Sequence, residues 1–355
     1  MNIKISLDKS KVDYSKIVPL RDKVDQALDL LWSGKKEEYK WVKMPMNYDK
    51  DVLDNLDKVG LLIGGRCGMI VIAGDQKTVN TVRNVLDALP EDGGFPTCLY
   101  VDETLSAKAM EKILLQCRQN EIALIGVSEN TQSKAAVANF KILENFVKEK
   151  YTQKNIKSHV YFVIGPEASP FRKMAEEGGY STITNTDIFE GEEGVLSPAV
   201  LLPMAIVGHN IEDFVKGCED MISDPAWDND GGDYAISCFL QENDGKNSAN
   251  VVYDQELLNV AGINGNVSLI FPGDEDVAYE DDSLTLIETE ENDLDILLPN
   301  CQDYEEESLR EMMNAAKEEK RDRFQATISL ERLDAYNVGQ LVYFLLLSQA
   351  IKCNL

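Results

Sequence analysis

The sequence predicts an α/β protein of two units, each a three-layer α/β/α arrangement around a parallel sheet, with the second unit trimmed. Three observations carry this. Between Met69 and Thr184, short apolar runs alternate with segments of helical period. Strands covered on both faces read as near-continuous apolar runs, and helix-length crossovers between them go with parallel pairing. The run Pro198–Val207 is apolar almost throughout, as expected of an enclosed helix that bridges the halves. Beyond Asp224 the alternation resumes more weakly.

Taken in order, Val18, Leu20, Val24, Ala27, Leu28 and Leu31 recur at helical spacing and predict a helix over 17–32, ended by Ser33-Gly34. An irregular link with Trp41, Pro45 and Tyr48 leads to a short helix over 51–62. Strands are expected over 69–73, 97–101, 122–127, 159–164 and 181–184, with helices over 78–89, 106–119, 133–149 and 170–177 between them. After the bridging helix come helices over 211–223 and 234–241, then strands over 248–253, 267–271 and 283–288. A helix over 305–321, a strand over 325–330 and a strongly apolar helix over 335–351 complete the chain. On this reading residues 1–50 form a helical extension, 51–210 the first α/β unit and 211–355 the second.

Hydrophobic residues make up 44% of the 355, enough to bury real cores. The longest apolar runs, 200–207 and 341–347, fall far short of the roughly 20 residues a membrane span needs. Met1–Ser10 lacks the apolar stretch of a signal peptide. The seven cysteines (67, 98, 117, 218, 238, 301 and 353) are odd in number, with no C-x-x-C pair, so free thiols in a reducing cytoplasm are expected. With 35 basic against 62 acidic residues the net charge is −27, a field that repels nucleic acid and anionic membranes. A phosphorylated ligand must then find local positive charge or aimed N–H groups. Residues 274–311 hold 16 acids and one base, Arg310: a solvated acidic surface, a docking face for a basic partner, or a divalent-ion site. No EF-hand spacing supports the last of these. There is no Walker A loop, His-Glu-x-x-His, zinc spacing or dinucleotide fingerprint, so no metal, nicotinamide or nucleotide cofactor is expected.

Several segments point to one family. They are Trp41-Val-Lys-Met-Pro45 with Tyr48-Asp49-Lys50, the long run Glu190–Pro203 followed by Gly208–Gly217, then Asn292–Asp295 and Asn337–Phe344. In this order they resemble the glucose-6-phosphate isomerase family, from about residue 17 to the end and least between Asn247 and Leu284. The resemblance implies two sugar-isomerase (SIS) domains and a homodimer with sites near the subunit interface. It implies interconversion of glucose 6-phosphate and fructose 6-phosphate through an enediol. A carboxylate would move the proton, a histidine and a lysine would open the ring, and an arginine would stabilise the oxyanion. Hydroxyls and helix-start N–H groups would bind the phosphate.

The same motifs depart from that chemistry. The family's first glycine-rich turn corresponds to Gly74, Asp75 and Gln76, with a single glycine and an added carboxylate. Its phosphate loop corresponds to Ser128-Glu-Asn-Thr-Gln-Ser133. There Ser128, Asn130, Thr131, Gln132 and Ser133 are the candidate anion ligands, or simply helix caps. Gly191-Glu192 stands where the resemblance places Gly-Arg, a reversal of charge. No histidine lies between Asn247 and Leu284; the two in the chain are His159 and His209. Glu242 and Glu256 lie near the lost glutamate outside any matching motif, and Lys352 precedes the position expected for the lysine. The expected function is a divergent, sugar-phosphate-related family member that has lost isomerase catalysis. Two alternatives stay open: an active aldose–ketose isomerase with a rebuilt site, and an acidic protein-interaction scaffold.

Overall fold

The computed structural model describes residues 3–8, 11–90, 93–104, 106–128, 132–152, 155–185, 189, 191–223, 227, 230–246, 248–252, 254–263, 266–269, 283–290 and 324–355. In chain order the elements begin with strand β1 (Ile3–Leu7) and helices α1 (Tyr14–Ile17), α2 (Arg21–Ser33) and α3 (Lys50–Gly64). Then follow β2 (Met69–Gly74), α4 (Gln76–Leu86), β3 (Thr97–Val101), α5 (Ala107–Gln119), β4 (Ile122–Ser128) and α6 (Lys134–Lys150). Next come β5 (Val160–Ile164), α7 (Pro170–Gly178), β6 (Ser181–Thr184), α8 (Pro198–Ile206), α9 (Ile211–Ile222) and α10 (Asp230–Asn243). The last are β7 (Ser248–Val252), α11 (Leu258–Ala261), β8 (Asn266–Leu269), β9 (Ser283–Thr289), β10 (Ala326–Leu330) and α12 (Ala335–Lys352). Two units divide the chain: a continuous one, Lys43–Lys216, and a split one, Met1–Val42 with Gly217–Leu355.

The continuous unit holds a five-stranded sheet of order β3-β2-β4-β5-β6. Every pairing in it is parallel. All six residues of β2 and all seven of β4 are buried, because the crossover helices cover both faces. On one face Met69, Val71, Leu124 and Phe162 pack with Met110, Ile113, Phe140 and Phe171 of α5, α6 and α7. The Phe140 ring lies 4.8 Å from Phe162 and 5.2 Å from Phe171, centroid to centroid. Helix α8 is buried along its whole length, which is why its sequence shows no polar face, and α3 and α4 both pack against it. Small residues allow α3 to come close: a Cβ on Gly60 would lie 2.6 Å from the Ala205 Cβ, and one on Gly64 2.6 Å from the Ile206 carbonyl oxygen.

His159 serves this scaffold. Its Nδ1 meets the Ile122 carbonyl at 2.8 Å and its ring stacks on Tyr151 at 3.6 Å. The Tyr151 hydroxyl accepts from the Ile122 N–H at 2.9 Å. Together the two rings secure the start of β4. The Lys150 ammonium donates to the Cys117 carbonyl at 2.7 Å and also to the Asn120 carbonyl, closing the end of α5.

In the split unit the sheet order is β1-β10-β9-β7-β8. The pairings are parallel except for β1, which runs antiparallel to β10 with Ile3 opposite Leu330. Along β1, buried Ile3, Ile5 and Leu7 alternate with exposed Lys4 and Ser6, the pattern of an edge strand with one wet face. Residues read from sequence as a helical extension thus supply a strand. The helix expected over 17–32 is broken near its start into α1, a 3₁₀ turn Val18–Leu20 and α2, because Pro19 lacks a backbone N–H. Helix α12 is buried along most of its length, and the Tyr343 hydroxyl donates to the Trp41 carbonyl at 3.1 Å. The expected helix over 305–321 and most of the acidic run 274–311 lie outside the described residues.

Candidate functional site

Strand order decides where a ligand could lie. From β2 the chain passes to β3 on one side and then returns to β4 on the other, so the sheet switches direction between β2 and β4. In open parallel sheets the crevice outside the carboxyl ends of the strands at such a switch is the ligand site. Here those ends are Gly74 and Ser128, brought together because Gly74 pairs with Val127. Gly74 is required by packing: a Cβ on it would lie 1.8 Å from the Val127 carbonyl oxygen. Ser128 is buried, and its carbonyl accepts from the Gly165 N–H at 3.1 Å.

Two helices start at this edge. Asp75 caps α4, its Oδ1 accepting from the Thr78 N–H at 3.0 Å and the Thr78 hydroxyl at 2.8 Å. Ser133 caps α6, its Oγ accepting from the Ala136 N–H at 3.3 Å. Both predicted residues are therefore engaged as caps, which keeps each helix start in place and uses one of its free N–H groups. Gln76 and Gln132 are exposed. Asn130 and Thr131 lie outside the described residues.

The 3₁₀ turn Gly191–Gly194 packs against α4, which brings Gly191 and Glu192 to the same helix that Asp75 caps. Gly191 has φ +67°, in the left-handed region that favours glycine. Glu192 is half-buried, and desolvation pushes its carboxyl up to about 7. No lysine or arginine among the described residues offsets it.

Other groups at the carboxyl edge carry no sequence motif. Asp102 follows β3 and is buried, accepting from the Thr104 N–H at 2.8 Å and its hydroxyl at 2.6 Å. The next residue, Glu103, has a buried Oε2 with no hydrogen-bond partner among the described residues. Asn185 follows β6, is 2% exposed, and has a buried Nδ2 with no acceptor among the described residues. Asp102 directly follows an apolar run, whereas Glu103 and Asn185 carry no such signal, Asn185 coming after the polar strand Ser181–Thr184. Elsewhere, Glu242 accepts from Lys352 Nζ at 2.5 Å, and both side chains are spent on that pair. Glu256 sits in the exposed part of a 3₁₀ turn, Gln255–Leu257.

The edge thus offers hydroxyls and helix starts suited to an anion, together with the carboxyls of Asp75, Asp102 and Glu103, and its helix α4 packs against the turn that carries Glu192. It supplies positions for a polar ligand and a carboxyl able to exchange a proton near neutrality. It supplies no fixed cation next to Glu192 among the described residues.

No family model matches the chain. Among curated proteins it is similar to glucose-6-phosphate isomerase of Clostridium perfringens, 24% identical over 231 residues, covering 59% of this chain and 51% of that protein. It is also similar to glucose-6-phosphate isomerase of Bacillus cereus, 23% identical over 219 residues, covering 58% of this chain and 49% of that protein. The chain spans about half the length of the curated relatives it matches. Among solved structures, a hypothetical protein from Thermus thermophilus superposes with a TM-score of 0.82 at 15% identity, over 99% of this chain and 94% of that one. A glucose-6-phosphate isomerase from Chlamydia trachomatis gives 0.75 at 12% identity, over 99% and 84%. The α/β fold is shared with these proteins along nearly the whole chain, and the resemblance read from the motifs extends to sequence over more than half of it.

Proposed function

We propose that this chain is a distant, divergent member of the glucose-6-phosphate isomerase family that binds a sugar phosphate and has lost the aldose–ketose isomerase step. Its two units then correspond to two SIS-like domains, and it works as a cytoplasmic homodimer. The observation that carries the reading is Glu192, which lies half-buried against α4 with no compensating cation among the described residues. An enediolate needs positive charge or aimed donors where its own charge develops. A carboxylate a few ångströms away opposes it by several kcal/mol, even at an effective dielectric near 20. Protonation of Glu192 below about pH 7 removes the repulsion without supplying a cation. The start of α6 and the hydroxyls of Ser128 and Ser133 remain as a weak phosphate site.

A second reading is favoured by the same carboxyl. A group titrating at about 7 is matched to general acid–base work near neutral pH, so a rebuilt isomerase would use Glu192 to carry the proton. The test is turnover of fructose 6-phosphate, with glucose 6-phosphate detected by a coupled dehydrogenase, beside thermal unfolding with and without fructose 6-phosphate. The first reading expects no rate above the blank and a raised melting temperature. A rate that survives re-purification and is lost in Glu192→Gln overturns it in favour of the second. Light scattering at micromolar concentration tests the dimer, and a monomer would sink that part of the proposal.

A further inference from the structure

Helix α3 borders a groove of about 460 Å³ that lies apart from the carboxyl edge of the sheet. Leu53 and Leu61 of α3, Phe95, and Ile211 at the start of α9 give it an apolar lining. Two of these are open to solvent in the chain as it stands, Leu61 at 58% and Phe95 at 39%. From Leu53 to Leu61 the groove follows the helix for about 12 Å at 1.5 Å per residue, close to two helical turns. That length suits a segment of chain better than a compact metabolite.

The walls are fixed. Gly60 and Gly64 hold α3 against α8, and the Phe95 ring lies over Gly208, where an added Cβ would meet ring atoms at 2.6 Å. Gly208 itself has φ +89°. The charge around the groove has one sign. Asp54, Asp57 and Glu212 line it, and no lysine or arginine among the described residues does. Lys50 reaches Glu212 at 3.9 Å, and no ion pair engages Asp54 or Asp57 among the described residues. The start of α9 offers little to an anion: Asn210 Oδ1 already accepts from the N–H groups of Glu212 at 3.0 Å and Asp213 at 3.2 Å. Both of those residues are acidic.

We propose that this groove docks a basic, amphipathic segment of a partner protein, its apolar face on Leu61 and Phe95 and its lysines or arginines beside Asp54, Asp57 and Glu212. Apolar anchors in a groove with a complementary charged rim are how amphipathic helices are held. A second copy seated groove to groove is the poorer occupant, since it would set Asp54, Asp57 and Glu212 against their own counterparts.

The test is fluorescence anisotropy with a labelled model peptide whose leucines and lysines follow helical spacing. A scrambled peptide of the same composition, which cannot align an apolar face, is the control for bulk charge. The helical-pattern peptide should bind at least about tenfold more tightly than the scrambled one, and added salt should weaken it. Leu61→Ala and the pair Asp54→Asn with Asp57→Asn should each reduce affinity about tenfold. Ile142→Ala, an exposed substitution outside the groove, should leave it unchanged. Thermal unfolding of each variant keeps folding defects apart from binding. The proposal is overturned if no peptide binds, if both peptides bind alike, or if the groove variants bind as the wild type does. It is also overturned if Leu61→Ala dissolves a self-associated form in sedimentation, for then a second copy fills the groove.

Discussion

The Val127 carbonyl oxygen lies only 1.8 Å from where a Cβ on Gly74 would sit. The two residues pair at the carboxyl ends of the adjacent strands β2 and β4, where backbone cannot yield as a flexible side chain can. Gly74→Ala should therefore cost about 3 kcal/mol, the upper end of what overpacking does. A shift of the denaturation midpoint of less than about 0.5 kcal/mol equivalent would mean that the strand ends separate easily, and that the crevice is soft.

Glu192 should leave a mark on stability against pH. Its carboxyl titrates at about 7 when folded against 4.5 ordinarily, so between those values the folded chain holds more protons than the unfolded one. Stability contributed by this group is whole below about 4.5 and is lost as pH rises through about 7. Allowing for partial solvent screening, the loss is about 1–2 kcal/mol. Glu192→Gln should abolish that part of the slope and be the more stable form at pH 8. Parallel stability curves for wild type and variant between pH 5 and 8 would refute this.

Arg21 holds Asp233 in the split unit through two parallel bonds, Nε to Oδ1 at 2.8 Å and an Nη to Oδ2 at 2.6 Å. The Asp233 side chain is nearly buried while half of the arginine is exposed. Arg21→Ala should cost about 2 kcal/mol, most of it from leaving a buried carboxylate without its partner. Arg21→Lys should recover only part of this, because an ammonium cannot form the planar fork. Chemical denaturation of the three proteins settles the order.

The cysteines should divide sharply in reactivity. Burial pushes the Cys67 and Cys117 thiols up to about 11 and holds Cys218 well above the usual thiol range, while Cys353 is exposed. At pH 8 a thiol reagent should label Cys353 within minutes and leave the other three untouched until denaturant is added. Mass-spectrometric mapping of the label checks this; rapid native labelling of Cys218 would show that the split unit opens readily.

Much of this was legible in advance, and what was missed shares a cause. The strands at 69–74, 122–128 and 160–164 stand out because an apolar run between helical segments has few other readings. Gly74 and Ser128 came from the family resemblance, which places its first turn and its phosphate loop just after two of those runs. Strand β1 has the right alternation, yet its partner β10 lies at the other end of the sequence and no local signal joins them. The elevated carboxyl of Glu192 and the unpartnered atoms of Glu103 and Asn185 depend on burial, which is set by elements remote in sequence. Ser133 was legible as a cap or a ligand and Asp75 as part of a turn; each accepts a capping hydrogen bond in the structure.

The pairing of Ile3 with Leu330 also sets a timetable for the nascent chain. At about 5–20 residues per second, roughly 15–60 s separate the synthesis of β1 from that of β10. Residues 43–216 are contiguous and can fold within that interval, but among the described residues the strand that pairs with Ile3, Ile5 and Leu7 is β10, which emerges late. During translation the start of the chain is an adhesive ribbon waiting for its mate, and chaperone demand should concentrate there.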